Sequence, residues 1–173
     1  MNVKADFSAI KLLGLDVDGV LTDGRVIFSD SGEESKFFYS RDNLGLKILK
    51  RLGLEIAIVT GRRSRVVEHY ARDLEITELH QKIGDKWPVF EDLLRRRGLS
   101  PGQAAFAGDD LVDLPVLRRV GLALAPAGAC PEVLAQAHFV SPSPGGRGAV
   151  RQMAEFILKG QGRWDEALQY YLK

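Results

Sequence analysis

The stretch that most constrains this chain is Leu12-Leu13-Gly14-Leu15-Asp16-Val17-Asp18-Gly19-Val20-Leu21-Thr22. An apolar run ends in two aspartates one residue apart, followed by a glycine. With no polar side chain before Asp16, the run reads as a strand buried on both faces, as in a parallel sheet. Gly19 marks the point where the chain leaves it. Open α/β sheets bind ligands at the carboxyl ends of central strands, which is where Asp16 is expected. Strand alternation aims Asp16 and Asp18 the same way, with Val17 opposite. Two such carboxylates repel each other and invite a divalent cation. They also suit one carboxylate as nucleophile and the other as acid/base. The competing reading is two solvated aspartates in a turn, because Asp-x-Asp is common by chance.

The first strand is expected over 10–16, and apolar runs at 54–60, 104–108 and 121–125 repeat its character. Shorter strands are expected at 78–81 and 138–140. Helical spacing marks 41–52, 62–73, 85–97, 111–120, 131–137 and 149–158. In the first of these, Leu44, Ile48 and Leu52 recur at i, i+4 and i+8, the inner stripe of an amphipathic helix. Ser100-Pro101-Gly102-Gln103 reads as a cap heading a single turn. The alternation of strand and helix predicts an α/β fold, a Rossmann-like parallel sheet with helices on both faces. The chain is expected to be one domain over 1–173, with a β-hairpin insert after the first strand at about 24–40 and a tail at about 160–173. The hairpin carries Val26, Ile27, Phe28, Phe37, Phe38 and Tyr39, too apolar for an isolated two-stranded flap. It is therefore expected to pack on another subunit, the alternative being its own domain. In the tail, Trp164, Leu168 and Tyr171 recur at helical spacing, so it is expected to be ordered by docking.

Composition narrows the function classes. A net charge of +1 gives no field for nucleic acid or an anionic membrane, and Arg95-Arg96-Arg97 reads as a solvated helix face. Cys130 is the single cysteine, so no internal disulfide forms, as suits a reducing cytosol. No stretch approaches the ~20 apolar residues of a membrane span. Met1-Asn2-Val3-Lys4-Ala5-Asp6 has no signal-peptide character, so a cytoplasmic place is expected. His69, His80 and His138 are scattered without ligand spacing and are taken as structural.

Three expected strands end alike, in Asp16-Val17-Asp18, Thr60-Gly61 and Asp109-Asp110, and Lys86 opens the helix before the third. If the strands are adjacent and parallel, these ends meet at one edge. Carboxylates, a hydroxyl and an ammonium are what phosphoryl transfer through an aspartyl-phosphate needs. The carboxylates hold Mg²⁺, Thr60 and Lys86 bind phosphoryl oxygens, and a second aspartate moves the proton. Asp110 and Asp113 have a competing reading as caps of the helix that follows. Arg62 suits a carboxylate, which a planar guanidinium grips in two places, and Arg147 is a second candidate. Gly61 and Arg41 complete the candidate substrate contacts, with a salt-bridged helix start as the alternative for Arg41-Asp42.

Asp16-Val17-Asp18-Gly19-Val20, Thr60-Gly61-Arg62, Lys86 and Gly108-Asp109-Asp110-Leu111-Val112-Asp113 resemble, in order, the four motifs of the haloacid dehalogenase superfamily. Leu21-Thr22-Asp23-Gly24, Asp30-Ser31-Gly32-Glu33-Glu34, Arg41-Asp42 and Gly145-Gly146-Arg147-Gly148-Ala149-Val150-Arg151 further resemble the capless 3-deoxy-D-manno-octulosonate 8-phosphate phosphatases. The resemblance implies Asp16 as nucleophile and Asp18 as general acid/base. It implies Mg²⁺ on Asp16, Asp18 (through its main-chain carbonyl) and Asp109, with Asp110 and Asp113 supporting the metal site or Lys86. It also implies a homotetramer built through the hairpin and the tail, with a phosphorylated sugar acid as the small-molecule partner. Two departures stand out: Asn43 where the family usually has glycine, and a loop before Lys86 shorter than expected. A nonulosonate 9-phosphate phosphatase is the first alternative. A non-catalytic regulatory or assembly domain of the same fold is the second, and the intact cluster of like charges argues against it.

Overall fold

The computed structural model describes residues 6–172. Of Met1–Asp6, expected to carry no signal peptide, residues 1–5 lie outside that range. The central sheet has six parallel strands in the order β5-β4-β1-β6-β7-β8. These are β1 (Leu12–Leu15), β4 (Glu55–Val59), β5 (Glu78–His80), β6 (Ala104–Ala107), β7 (Leu122–Ala127) and β8 (Phe139–Pro144). A separate two-stranded antiparallel sheet pairs β2 (Ile27–Phe28) with β3 (Glu34–Ser35). The helices are α1 (Ser40–Arg51), α2 (Arg65–Asp73), α3 (Lys86–Arg96), α4 (Leu114–Leu117), α5 (Pro131–Gln136), α6 (Ala149–Gly160) and α7 (Trp164–Gln169). Among the described residues no helix is long and apolar enough to cross a membrane.

The period-two alternation of the strands builds two cores. Leu13, Leu15, Ile56, Ile58, Ala105 and Ala107 face the layer made by α1, α2 and α6. Leu12, Ala57, Val59, Ala104 and Phe106 face α3, α4 and α5. Covering both faces explains why β1 has no exposed residue at all. In the sheet, Leu15 lies opposite both Ile58 and Ala107. The next residues along the three strands are Asp16, Val59-Thr60 and Gly108-Asp109, so the expected convergence follows from register alone.

Three local expectations change. The buried face of α1 is Asp42, Gly45, Leu46, Ile48 and Leu49, while Leu44 is 37% exposed and Leu52 half-buried. Close approach of α6 sets that face: a Cβ on Gly45 would stand 3.1 Å from the Arg151 Cα. Second, α2 begins at Arg65, which leaves Arg62 on the loop after β4. Third, the expected helix over 111–120 is a 3₁₀ turn, Leu111–Asp113, followed by the single turn of α4. Asp113 folds its carboxylate back onto the amides of Asp109 and Asp110, which tightens that turn. The hairpin also makes contacts with its own domain. Phe38 stacks on Tyr70 with ring centroids 3.7 Å apart, and Lys36, paired with Glu34, reaches Asp18 beyond the carboxyl end of β1. Val26, Phe28 and Phe37 stay exposed on it. The tail docks on its own chain: Arg163 donates to the Leu52 carbonyl at 2.8 Å, Trp164 packs on the core and Ala167 is buried.

Candidate active site

The end of β1 carries Asp16, whose amide donates to the Ala107 carbonyl at 3.0 Å and so locks it to β6. The chain then turns through Val17–Leu21, closed by Thr22 N donating to the Val17 carbonyl at 3.0 Å. Gly19 makes this turn possible. Its φ is +94°, and a Cβ there would stand 2.0 Å from Asp109 Oδ2. The two acidic loops therefore touch at a residue with no side chain.

Lys86 opens α3, whose N-terminus Asp85 caps by accepting from Trp87 N at 3.2 Å. The Lys86 ammonium is buried and donates to Asp16 Oδ1 at 2.7 Å and to Asp113 Oδ1 at 2.6 Å. The other Asp113 oxygen accepts from the amides of Asp109 at 2.9 Å and Asp110 at 3.2 Å. Asp113 thus spends one oxygen on Lys86 and the other on the loop that presents Asp109. Gly108 leaves room for this arrangement, because a Cβ there would stand 2.4 Å from that of Asp113. Asp110 points away from the cluster and caps the following turn, accepting from Leu111 N at 2.8 Å.

Carboxylate oxygens of Asp16, Asp109 and Asp113 lie within 4.8 Å of one another. Asp109 Oδ1 is buried and has no hydrogen-bond partner among the described residues. An orphaned, buried carboxylate oxygen facing other carboxylates has the chemistry of a site for a hard divalent cation. The charges here are in tension. Burial pushes the Asp16 carboxyl up to about 6 against the pull of Lys86. Burial and the Asp16 charge push Asp109 up to about 7. Burial works to lower the Lys86 ammonium, but Asp16 and Asp113 outweigh it and raise it.

Thr60 ends β4, buried, with its amide on the His80 carbonyl at 2.9 Å. Gly61 and Arg62 follow on the exposed rim. Asp18 faces the hairpin: Lys36 donates to its Oδ1, and Arg62 Nε stands 3.8 Å from its Oδ2. Arg62 lines a recess of about 660 Å³ between the hairpin and α2. Arg41 and Arg147 line a different recess, of about 450 Å³, beside the start of α6. The structure therefore brings Asp16, Asp109, Asp113 and Lys86 together, holds Asp18 and Arg62 beside one another, and sets Arg41 and Arg147 apart from both. Among the described residues Asp42 forms no salt bridge. Its fully buried carboxylate accepts from Gly148 N at 3.2 Å and Arg151 N at 2.7 Å, capping α6 from another helix.

Sequence reasoning missed Lys36 as part of the site. The available signal is a lysine directly before Phe37-Phe38-Tyr39 in an apolar hairpin, two residues from Glu34.

With an acidic cluster and a buried lysine at the carboxyl edge of a six-stranded parallel sheet, and with relatives that match nearly all of it, the chain belongs to the haloacid dehalogenase-like hydrolases. The sequence model of the haloacid dehalogenase-like hydrolases matches residues 42–121. The relatives are more specific. The chain is 43% identical over 166 residues to the 3-deoxy-D-manno-octulosonate 8-phosphate phosphatase KdsC of Escherichia coli strain B / BL21-DE3, covering 96% of this chain and 88% of that one. A solved structure of the phosphatase of that name from Moraxella catarrhalis, in complex with magnesium ion, phosphate ion and KDO, superposes with a TM-score of 0.93. It is 37% identical and covers 95% of each chain. The one from Yersinia pestis gives 0.90 at 42% identity, covering 92% of this chain and 86% of that one. The protein is thus a phosphoric monoester hydrolase.

Proposed function

We propose that the protein hydrolyses 3-deoxy-D-manno-octulosonate 8-phosphate to the free sugar acid and inorganic phosphate, through a phosphorylated Asp16. The observation that carries the mechanism is the pair of contacts made by Lys86, which ties the Asp16 carboxylate to the buried Asp113 and leaves its second oxygen for attack. The substrate rests on the names of relatives that cover most of the chain.

Asp16, Asp109 and the main-chain carbonyl of Asp18 would hold Mg²⁺. The acidic cluster and the orphaned Asp109 oxygen support that set, and Asp113, with both oxygens engaged, supports the site from behind. When bound, the ion supplies positive charge that lets one anion approach another. The remaining chemistry belongs to side chains. Asp16 attacks phosphorus, and the bond to the sugar oxygen breaks. Asp18 gives that oxygen a proton, then takes one from the water that cleaves the aspartyl-phosphate. Lys86 and Thr60 offset charge on the non-bridging oxygens. Arg62, on the rim, is the group placed to grip the sugar-acid carboxylate. Arg41 and Arg147 line another recess of the same chain, and a substrate role for either is a second candidate beside Arg62. The exposed Val26, Phe28 and Phe37 of the hairpin support association of several copies, with a homotetramer as the expected state. The lone, half-buried Cys130 suits a cytoplasmic place.

Phosphate release from purified protein tests the reading. The panel is octulosonate 8-phosphate, a nonulosonate 9-phosphate and neutral sugar phosphates, each with Mg²⁺ and with EDTA. The expected result is a kcat/KM for the octulosonate ester at least ~10-fold above the others, abolished by EDTA. Preference for the nine-carbon ester would move the substrate and keep the chemistry. Release from every ester in EDTA would remove the metal from the account.

A further inference from the structure

Asp18 does not stand alone at the rim. Its carboxylate belongs to a closed ring of four alternating charges. Lys36 donates to Asp18 Oδ1. The same ammonium lies 3.5 Å from Glu34 Oε1. That Glu34 oxygen accepts from Arg62 Nη2 at 3.3 Å. Arg62 Nε completes the ring, 3.8 Å from Asp18 Oδ2. Two members come from the hairpin, one from the turn after β1 and one from the loop after β4.

The backbone explains how a hairpin delivers this. Glu34 and Lys36 are two residues apart on an extended segment, so their side chains share a face, and Ser35 and Phe37 take the other. Phe37 is 69% exposed accordingly. The segment is held at both ends. On one side Glu34–Ser35 pairs with Ile27–Phe28. On the other Phe38 stacks on Tyr70, whose hydroxyl donates to Asn43 at 2.7 Å. The Lys36 side chain is only 1% exposed, against 44% for Arg62. A lysine so deeply covered cannot swing out to follow a ligand, and its partner carboxylate is correspondingly fixed. Arg62, half in water, is the member of the ring free to leave.

We propose that Lys36 is a positioning residue of the reaction, which fixes the Asp18 carboxylate at the angle from which it reaches the leaving oxygen. The hairpin then serves catalysis within its own chain, separately from any contact it makes with other copies. Such an effect is large where proton transfer matters, because a positioned acid contributes ~10²–10⁴-fold and small displacements forfeit much of it. It is small where the leaving group needs no proton.

That contrast gives the test, which rests on the Asp18 role proposed above. kcat/KM is measured for the unaltered protein, Lys36→Met and Lys36→Arg, with saturating Mg²⁺. The substrates are octulosonate 8-phosphate, a neutral sugar phosphate and 4-nitrophenyl phosphate, and thermal midpoints are recorded alongside. In Lys36→Met the two sugar esters are expected to lose at least ~10-fold and the nitrophenyl ester less than ~3-fold, with Lys36→Arg recovering most of the loss. An equal fall on all three esters would make Lys36 merely structural and overturn the proposal. Loss confined to the octulosonate ester would make it a substrate-carboxylate contact and overturn it too. If Lys36→Met does not fold, the ratio of sugar to nitrophenyl ester in Lys36→Gln decides in the same way. An unaltered protein inactive on both sugar esters would count against the Asp18 role itself. An active one indifferent to Lys36→Met counts against Lys36 alone.

Discussion

Asp16→Asn is expected to reduce phosphate release from any ester by at least ~10⁴-fold while leaving the fold in place. The amide keeps the shape of the carboxylate and loses its capacity to attack phosphorus. Folding should tolerate the change, because the carboxylate is already in an unfavourable position. Burial raises it to about 6, and its charge helps push Asp109 to about 7. Removing that charge relieves Asp109, while Lys86 keeps Asp113 at 2.6 Å. Steady-state phosphate release and a thermal melt check both halves. Residual turnover above about 1% would place the nucleophile elsewhere, a threshold set by the size of the expected loss.

Lys86→Met should damage both stability and activity. The ammonium is 1% exposed and lies between two buried carboxylates, at 2.7 Å and 2.6 Å. Truncating it leaves both carboxylates without their counter-charge, and breaking a buried ion pair on one side costs about 3–5 kcal/mol. For a chain of this length each kcal/mol lowers the thermal midpoint by about 2–4 °C, so a fall of ~6–20 °C is expected in the chelated protein. The loss should be larger at pH 8 than at pH 5. With the lysine present, Asp16 already titrates at about 6 in the folded protein against a reference value of 3.8. Without it the folded value rises further. A carboxyl raised on folding favours the fold while protonated, and that advantage fades as pH climbs through the folded value. Activity should fall by at least ~10²-fold, since a preorganised cation at the phosphoryl oxygens is lost. An unchanged midpoint at pH 8 would mean that the two carboxylates find other partners.

How much of this was legible in the sequence depends on the distance between partners. Asp16, Thr60 and Asp109 were legible as a group because each ends an apolar strand, and parallel register then brings the ends together. Lys86 was legible from its order in the chain. The division of labour within Gly108-Asp109-Asp110-Leu111-Val112-Asp113 was not. Which aspartate turns back to the amides and which caps the turn depends on a 3₁₀ geometry where an ordinary helix was expected. The inward stripe of α1 was misjudged for a related reason. Leu44 has the right spacing, but Gly45 admits α6 and rotates the buried face. Lys36 carries only a weak local signal, a lysine beside apolar hairpin residues, because its partner Asp18 lies in another turn of the chain. Neither a site role nor the alternative of a helix-start salt bridge describes Asp42, because its partners, the amides of Gly148 and Arg151, lie more than a hundred residues away.

The most direct measurement of the central claim is to trap the covalent intermediate. Protein and phosphate-labelled octulosonate 8-phosphate are mixed with Mg²⁺, quenched in acid within a turnover, digested and mapped by mass spectrometry. The account predicts phosphate on the peptide that contains Asp16, none on the peptide that contains Asp109 and Asp113, and none in Asp16→Asn. Turnover accompanied by no acyl-phosphate at any quench time, or by label on a different carboxylate, would contradict it.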